Sequence, residues 1–364
     1  MQRVTFILPT AGVSPIGGYK VVYEYASRLT TLGYLVTVVH SARYWTDDNA
    51  VEIAKGWLRY LKRRLENSFG PQRWFKLHPE VRLLWVPSLS PSYIPDGDVV
   101  IATAWQTAEW VSKYPRSKGR QFHLLYDYEH YKVASSTMRQ RIARALALDL
   151  EKIVTSPAVA QMLEECSVVH NPRNYLSNGI DLDVYYTEQD LEGRSYIGFP
   201  SRREPFKGTK DAIQALSILR TRLMASGIKI WSFGTMKPEG LPDWIEFHTF
   251  PSDQKLRQLY NQTSIFIQPS HFEGWGLPGA EAMACGAALI STDNGGVRAY
   301  AEHGVTALLC QPQQPSAIAQ AVVQLLDDPG QKLKLAQNGN RHIQGFTWDN
   351  ATQRLTAVIS RKLK

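Results

Sequence analysis

Residues 269–286 read PSHFEGWGLPGAEAMACG. Before them, the apolar run 264–268 predicts a buried strand that ends at Pro269. Pro278 suits the first position of a helix, and Gly286 suits the residue just past a helix end. The stretch therefore predicts a strand, a glycine-rich turn and a short helix, with the positive end of the helix dipole at the turn.

Two carboxylates stand eight positions apart in this stretch. Glu273 lies in the predicted turn and Glu281 in the predicted helix. Backbone N–H groups freed by Gly274 and Gly276, together with the helix dipole, favour a bound phosphate. Carboxylates accept hydrogen bonds from sugar hydroxyls beside such a phosphate. This combination is the chemistry of a nucleotide-sugar site, and the alternative is a turn and helix with two surface glutamates.

The rest of the chain alternates strand and helix patterns. Strands are predicted at 4–8, 35–39, 83–86, 98–102, 122–126, 153–155 and 167–170, and then at 196–199, 229–233, 245–248, 264–268 and 288–291. Helices are predicted at 18–31, 211–224 and 348–362, among others. Such alternation predicts an α/β fold of doubly wound parallel sheets, whose ligands lie beyond the carboxyl ends of the strands.

The length of 364 residues favours two domains over one core. The turn signal at 177–181 and the polar run after it predict a linker at 177–194. An N-terminal domain of residues 1–176 and a C-terminal domain of residues 195–346 then remain, followed by a C-terminal helical segment, 347–364. With 44% hydrophobic and 20% charged residues, the composition is that of a globular protein.

A second motif, PSRREPFKG at 200–208, follows the first predicted strand of the second domain. Breaking a sugar–phosphate bond leaves negative charge on the diphosphate, and fixed cations stabilise that charge as it develops. Arg202 offers a planar fork for it and Lys207 a compact point charge. The alternative is a solvated basic loop.

These motifs closely resemble the retaining GT-B glycosyltransferases of family 4. The Glu-x7-Glu pattern is the most specific part, and Arg202 and Lys207 match the family's Gly-Arg-Leu-x-x-x-Lys-Gly element. Ser201 and Arg203 depart from its Gly and Leu, which puts the local backbone in doubt. The resemblance implies two Rossmann-like domains facing across a cleft, with the C-terminal helix crossing back to the first domain.

The resemblance also implies roles for individual residues. Glu281 holds the nucleotide ribose and Glu273 the hydroxyls of the transferred sugar, while Arg202 and Lys207 stabilise the departing diphosphate. Donor contacts are further expected from Gly17, Gly18, Gly274, Gly276 and Leu277. The expected reaction is metal-independent and retaining, with no cofactor, and transfers a hexosyl or deoxyhexosyl group from a nucleotide-diphosphate sugar to a glycan or lipid-linked acceptor, as in bacterial polysaccharide or glycolipid synthesis.

The acceptor side is predicted from the polar segment after strand 122–126. Asp127, Glu129 and His130 are the candidates there, because the family often places a polar residue after the equivalent strand. The alternative is a helix capped by Asp127 with exposed neighbours.

Charge and cysteine usage bear on the setting of the protein. Cys166, Cys285 and Cys310 are scattered without metal-ligand spacing, which favours a reducing cytoplasm. The net charge of +8 favours anionic partners. No single-strand-binding arrangement accompanies it, so nucleic acid is not expected. The competing functions are another GT-B enzyme, such as a sugar-nucleotide epimerase, and a catalytically silent sugar-binding protein.

The segment 51–79 is basic, and its apolar residues recur at helical spacing. Trp57, Leu58, Leu61 and Leu65 form the apolar stripe. A basic helix with such a face can lie on an anionic membrane surface. The alternative is that the stripe packs on the first domain and the cations are merely solvated.

Overall fold

The computed structural model describes residues 1–126 and 129–361. The chain divides into two compact units. Unit 1 comprises Met1–Thr155, Val159–Ser177 and Trp348–Lys364, and unit 2 comprises Ser156–Ala158 and Asn178–Thr347. Among the described residues, no helix combines the length and the apolar character needed to cross a membrane.

Unit 1 is built on a six-stranded parallel sheet with helices between its strands. The strands are β1 Arg3–Leu8, β2 Leu35–Ser41, β3 Arg82–Val86, β4 Val99–Ala102, β5 Arg120–Leu125 and β6 Glu151–Val154. The helices are α1 Gly17–Thr31, α2 Ala50–Glu66, α3 Trp105–Val111, α4 Glu129–Val133, α5 Ser136–Leu146, α6 Pro157–Glu165 and the last helix of the chain, α13 Trp348–Ile359. The strand order is β3-β2-β1-β4-β5-β6.

Unit 2 repeats this architecture. Its strands are β7 Tyr196–Pro200, β8 Lys229–Gly234, β9 Ile245–Thr249, β10 Thr263–Gln268, β11 Ala288–Thr292 and β12 Ala307–Cys310. Its helices are α7 Thr209–Ile218, α8 Arg220–Ala225, α9 Asp253–Gln262, α10 Leu277–Ala284, α11 Pro315–Asp327 and α12 Pro329–Ile343. The strand order is β12-β11-β10-β7-β8-β9, again with parallel pairing throughout.

Both sheets therefore have the doubly wound order of a Rossmann fold, as the sequence predicts. The central strands are buried along their whole length because helices cover both faces, so they show no alternation of polar and apolar residues. The order reverses between β1 and β4 in unit 1, and between β7 and β10 in unit 2. At such a reversal the loops leave a crevice in which ligands bind.

The C-terminal helix α13 belongs to unit 1. The ring of Trp348 packs edge-on against Tyr25 of α1, with ring centroids 5.5 Å apart. Asp349 in its first turn accepts a hydrogen bond of 2.5 Å from Arg28 of α1. Trp348, like Trp105 and Trp231, is buried and serves packing.

Two predictions of secondary structure are wrong, and one strand was missed. The segment 167–170 is no strand: Ser167 and Val168 donate their N–H groups to Glu164 and Leu163 of α6, and so close the end of that helix. The predicted helix 211–224 is two helices, because Leu219 has φ −97° and ψ 1°, outside helical values. Strand β12 was not predicted, since four apolar residues at a sheet edge carry no periodicity.

Candidate active site

The two motifs lie on neighbouring strands of unit 2. The basic loop 201–208 follows β7, and the turn 269–276 follows β10. Strands β7 and β10 are parallel partners, with Gly198 opposite Phe266. Because carboxyl ends of parallel strands meet at one edge of a sheet, both loops leave the sheet at its topological switch point.

The predicted strand, turn and helix of residues 263–284 are present. Gly276 precedes α10 with φ 98°, a conformation that favours glycine. Its carbonyl accepts a hydrogen bond of 2.9 Å from Tyr300 Oη. The helix begins at Leu277, so Pro278 is its second residue rather than its first. The first N–H groups of α10 have no partner within the helix and point toward the turn.

Glu273 is held by three side chains. Its Oε2 lies 2.9 Å from Lys207 Nζ. Its Oε1 accepts hydrogen bonds from Ser270 Oγ at 2.7 Å and from Gln268 Nε2 at 3.3 Å. Both members of the ion pair are largely buried, with 13% of the Glu273 side chain and 17% of the Lys207 side chain exposed. The two motifs therefore meet in a partly desolvated ion pair, in which charge interactions are stronger than at an open surface.

The backbones of the two loops are also in close contact. A Cβ at Gly208 would lie 1.9 Å from the carbonyl oxygen of Pro269, and Gly208 has φ +68°. The N–H of His271 donates to the carbonyl of Phe206 at 2.7 Å. The His271 ring lies 2.6 Å from Asp211 of α7 through Nε2. His271 therefore connects the turn to the basic loop and to α7.

Arg202 is the second residue of the basic loop. Its Nη1 donates to the carbonyls of Ser201 at 3.0 Å and Phe233 at 3.3 Å, and its guanidinium stands 5.3 Å from the centre of the Phe233 ring. Burial lowers the pKa of the Arg202 guanidinium, and the charge of Glu273 opposes that shift.

The two residues that depart from the family pattern lie in different surroundings. Ser201 is buried, and its hydroxyl hydrogen-bonds to the hydroxyl of Ser232 on β8. Its N–H donates to the Phe233 carbonyl at 2.7 Å, which extends the pairing of β7 with β8 by one residue. Arg203 is exposed, and its guanidinium lies 3.2 Å from the sulfur of Met236. Neither departure displaces Arg202 or Lys207 from the site.

Glu281 faces inward from α10 and is buried. Tyr260 Oη lies 3.5 Å from its Oε2. Burial raises the pKa of the Tyr260 hydroxyl, and the Glu281 charge raises it further. Tyr260 therefore stays protonated and can donate a hydrogen bond to the Glu281 carboxylate.

Several residues that shape the turn were not predicted. Besides Gln268 and Ser270, these lie in the loop after β11: the carbonyl of Asn294 accepts the Glu273 N–H at 3.1 Å. A Cβ at Gly296 would lie 2.5 Å from the Glu273 carbonyl oxygen. The Asn-Gly-Gly sequence directly after a predicted strand was the available signal, because that strand neighbours β10.

In the part of the chain that the structure describes, no three or more His, Cys, Asp or Glu residues lie close enough together to hold a metal ion. Asp181 and Asp183 form a turn, in which Asp181 Oδ1 accepts the Asp183 N–H at 3.1 Å. Arg202 and Lys207 are the cations that the two motifs bring to the switch point of unit 2.

Gly17 and Gly18, predicted as donor contacts, begin α1 in unit 1. A Cβ at Gly18 would lie 2.3 Å from the ring of Tyr126, the residue that follows β5. Gly18 is therefore required by the close approach of an aromatic ring to the helix end. Gly17 is exposed.

The predicted acceptor-side residues follow β5 in the chain, and β5 ends at Leu125. His130 lies at the start of α4 and is exposed. Asp127 lies outside the described residues, and so does the side chain of Glu129.

The loop after β1 contains another glycine, Gly12, which was not predicted as a site residue. The N–H of Gly12 donates to the Phe69 carbonyl at 2.8 Å, and the Gly12 carbonyl accepts from Trp74 Nε1 at 2.7 Å. A Cβ there would lie 1.8 Å from Tyr23 Oη. Segment 67–75, which follows α2, thus holds the loop at the carboxyl end of β1.

Comparisons with known proteins agree with this architecture. Residues 188–342 match the family model described as glycosyl transferases group 1. A D-inositol 3-phosphate glycosyltransferase of Thermobispora bispora is 22% identical over 304 residues, which cover 73% of this chain and 71% of that protein. The enzyme of the same name from Actinosynnema mirum is 33% identical over 206 residues, covering 50% of this chain and 49% of that protein.

Solved structures share the fold over nearly the whole chain. Anabaena HepE in complex with UDP-glucose superposes with a TM-score of 0.75 at 16% identity, covering 99% of this chain and 100% of that chain. Sucrose-phosphate synthase from Thermosynechococcus elongatus superposes with a TM-score of 0.71 at 17% identity, covering 99% and 98%.

Two Rossmann-like units, each with its own topological switch point, give the chain the GT-B fold of these solved structures. Residues 188–342 of the chain, which contain both motifs of the candidate site, match the glycosyl transferases group 1.

Proposed function

We propose that the protein is a metal-independent, retaining glycosyltransferase that uses no resident cofactor. It moves a hexosyl or deoxyhexosyl group from a nucleotide-diphosphate sugar to a hydroxyl acceptor. The observation that carries this proposal is the Lys207–Glu273 ion pair, 2.9 Å long, beside the partly buried Arg202 at the switch point of unit 2. A cation pair suited to a diphosphate stands there next to a carboxylate suited to sugar hydroxyls.

Each group then has one task. Glu281 binds the ribose hydroxyls, while the N–H groups of Gly274, Gly276 and Leu277 face the sugar and the phosphates at the positive end of α10. Glu273 binds the hydroxyls of the transferred sugar. Arg202 and Lys207 stabilise the charge that develops on the departing diphosphate. Gly17 and Gly18 allow close approach of the donor to the unit 1 loop.

Retention follows if the acceptor attacks the face from which the diphosphate leaves. The new bond joins the acceptor oxygen to the anomeric carbon as the bond from that carbon to the phosphate oxygen breaks. The acceptor proton passes to an oxygen of the departing phosphate. The engagement of Glu273 by Lys207, Ser270 and Gln268 supports this route, because a carboxylate with three donors is a weak nucleophile.

Unit 1 supplies the acceptor surface in this proposal, with Asp127, Glu129 and His130 as the candidates. The acceptor is a glycan or a lipid-linked hydroxyl compound of bacterial polysaccharide or glycolipid synthesis. The three unpaired cysteines agree with a cytoplasmic enzyme. The glycosyltransferase relatives and the UDP-glucose bound to HepE support a nucleotide-sugar donor.

The test is a panel of UDP-, GDP-, ADP- and dTDP-sugars, each with mixed glycan and lipid-linked acceptors, scored by nucleotide release and product formation. We expect acceptor-dependent release with one donor, a product that keeps the anomeric configuration of that donor, and unchanged rates in EDTA. Donor epimerisation without release would identify an epimerase instead. Nucleotide binding without turnover would favour a silent sugar-binding protein, and loss of activity in EDTA that Mn²⁺ or Mg²⁺ restores would overturn the metal-free mechanism.

A further inference from the structure

The apolar stripe of α2 is exposed. Its residues Trp57, Leu58, Leu61 and Leu65 are 42%, 68%, 50% and 88% exposed, and Val51 on the same helix is 60% exposed. Val51, Ala54 and the three leucines recur at alternating intervals of three and four residues, which places them along one line of the helix with Trp57 beside it. The alternative that this stripe packs on the first domain is therefore wrong.

The helix is held in unit 1 by its opposite side. Gly56 is its buried residue, and a Cβ there would lie 2.5 Å from the Arg43 side chain. Tyr60 stacks on Trp85 of β3, with ring centroids 6.5 Å apart, and Arg59 Nη1 donates to the Ala42 carbonyl at 2.7 Å. Because these contacts fix the rotation of the helix, the stripe points away from the core.

Exposed hydrophobic side chains are concentrated on α2 rather than scattered over the surface. Five of the eighteen large hydrophobic side chains that are exposed among the described residues lie on this one helix, with Trp57 as the fifth. Cations border it: by helical position, Lys55 and Lys62 lie on one side and Arg64 on the other. The helix carries five cations against two carboxylates, Glu52 and Glu66.

We infer that this face of α2 docks the protein on an anionic lipid surface. The apolar line enters the boundary between head groups and acyl chains, and the flanking cations meet the lipid phosphates. A second protein would offer one fitted patch, whereas a lipid surface offers both an apolar layer and a sheet of negative charge along the full helix. The charge pattern of α2 complements the latter.

Docking also has a consequence for the acceptor, which rests on the proposed function. The chain leaves α2 through segment 67–75, and Phe69 and Trp74 of that segment bind both backbone groups of Gly12. The lipid-facing helix and the loop at the carboxyl end of β1 are therefore one connected structure. The acceptor that this arrangement favours is one carried in the membrane.

The test is sedimentation of the full chain with phosphatidylcholine vesicles containing 0 to about 40% phosphatidylglycerol, without any donor. Binding should rise at least about tenfold with anionic lipid and fall as salt screens the charges. The combined change of Leu58, Leu61 and Leu65 to Ser should remove binding. So should the change of Lys55, Lys62 and Arg64 to Ser, whereas Arg59 and Arg63 are left because they bind backbone carbonyls of unit 1.

A matched control replaces Ile218 and Met224, exposed at 58% and 60% on unit 2, by Ser. This variant should bind vesicles as the wild type does, and the urea-unfolding midpoint of every variant reports that it is folded. Binding that is equal on neutral and anionic vesicles, or is kept by the Leu variant, would overturn the inference. Self-association through α2 without vesicle binding would do the same. Since no transfer is measured, a failed transferase assay leaves this result standing.

Discussion

At the scale of single residues, the charge of Glu273 is the first quantity to test. Glu273→Gln keeps the shape of the side chain but leaves Lys207 without its carboxylate at 2.9 Å. We expect turnover to fall by about 10²-fold, the scale for one preorganised electrostatic group, while nucleotide affinity changes little. Steady-state kinetics and nucleotide titration of the same preparation measure both. Full activity of this variant would remove Glu273 from the mechanism.

Glu281 should behave in the opposite way. Ribose contacts are the same in the ground state and the transition state, so Glu281→Ala should weaken nucleotide binding more than it slows the bound complex. Tyr260→Phe serves as its control, because it removes the hydroxyl 3.5 Å from Glu281 and leaves the carboxylate in place. Unchanged nucleotide affinity in Glu281→Ala would contradict the ribose assignment.

The basic loop contains its own matched control. Arg202→Ala and Lys207→Ala should each reduce turnover by about 10²–10³-fold, because each removes a fixed cation from the developing diphosphate charge. Arg203→Ala removes an equal charge one position away, from an exposed side chain whose guanidinium contacts Met236, and should stay within about twofold on activity. Equal losses at all three positions would show that net charge, and not a placed cation, is what matters.

The sequence identified the ionic residues of the candidate site, but not what holds them. Glu273 and Lys207 stand out because charged groups at fixed spacing in a glycine turn have few other uses. Ser270, Gln268 and Asn294 fix the carboxylate and the turn, yet small polar residues after a strand are common in any loop. Their role depends on which strands are neighbours in the sheet, and that is a property of the tertiary fold.

At the scale of elements, the contact between the basic loop and the Glu273 turn is testable through glycine. Gly208 and Gly227 have nearly the same φ, +68° and +66°, but a Cβ at Gly208 would lie 1.9 Å from Pro269 while a Cβ at Gly227 meets nothing within 4 Å. Changing either to Ala should cost about 1 kcal/mol through the backbone. Gly208→Ala should cost a further 1–3 kcal/mol or so from overpacking, and should lower turnover by parting the loops.

Urea unfolding of the two variants side by side gives the difference in the free energy of unfolding, in which the shared cost of the backbone conformation cancels. Equal destabilisation, with activity kept in Gly208→Ala, would mean that the two loops do not need their close approach.

Strand and helix predictions held for α1 and the central strands, but failed for the run 167–170 and for the single helix predicted at 211–224. Helix α1 and the central strands carry strong apolar signals, and their positions agree with the sequence to within a few residues. The run 167–170 looked like a strand because Val168 and Val169 favour strands. It closes α6 instead, because hydrogen bonds to Leu163 and Glu164 decide its backbone conformation. These bonds are the local pattern of a helix C-terminus, which the strand propensity of the two valines does not take into account.

At the scale of the whole molecule, the two units share a strand order but differ in buried titratable groups. Unit 1 buries His40 and His123 on its sheet, and burial lowers their pKa values to about 4 and about 3. His40 bonds to the Thr10 carbonyl and to Tyr23 Oη. His123 pairs in register with Lys152 of β6, whose charge lowers its pKa further, and among the described residues neither of its ring nitrogens has a hydrogen-bond partner.

Unit 1 should therefore lose stability in acid through its histidines. Above pH 6.5 both histidine rings are neutral in the folded and unfolded chains. Below pH 6.5 these histidines become protonated in the unfolded chain but stay neutral in the folded chain, down to about pH 4 for His40 and about pH 3 for His123. Each histidine should cost unit 1 about 1.4 kcal/mol per pH unit over that window. Hydrogen exchange of the β2 and β5 amides from pH 7 to pH 4 measures this loss. His123→Phe should reduce the loss of stability per pH unit by the amount that one histidine contributes, and should leave the pH dependence above pH 7 unchanged. Carboxylate contributions are common to both proteins and cancel in this comparison. An unchanged slope would show that His123 is protonated in the folded sheet after all.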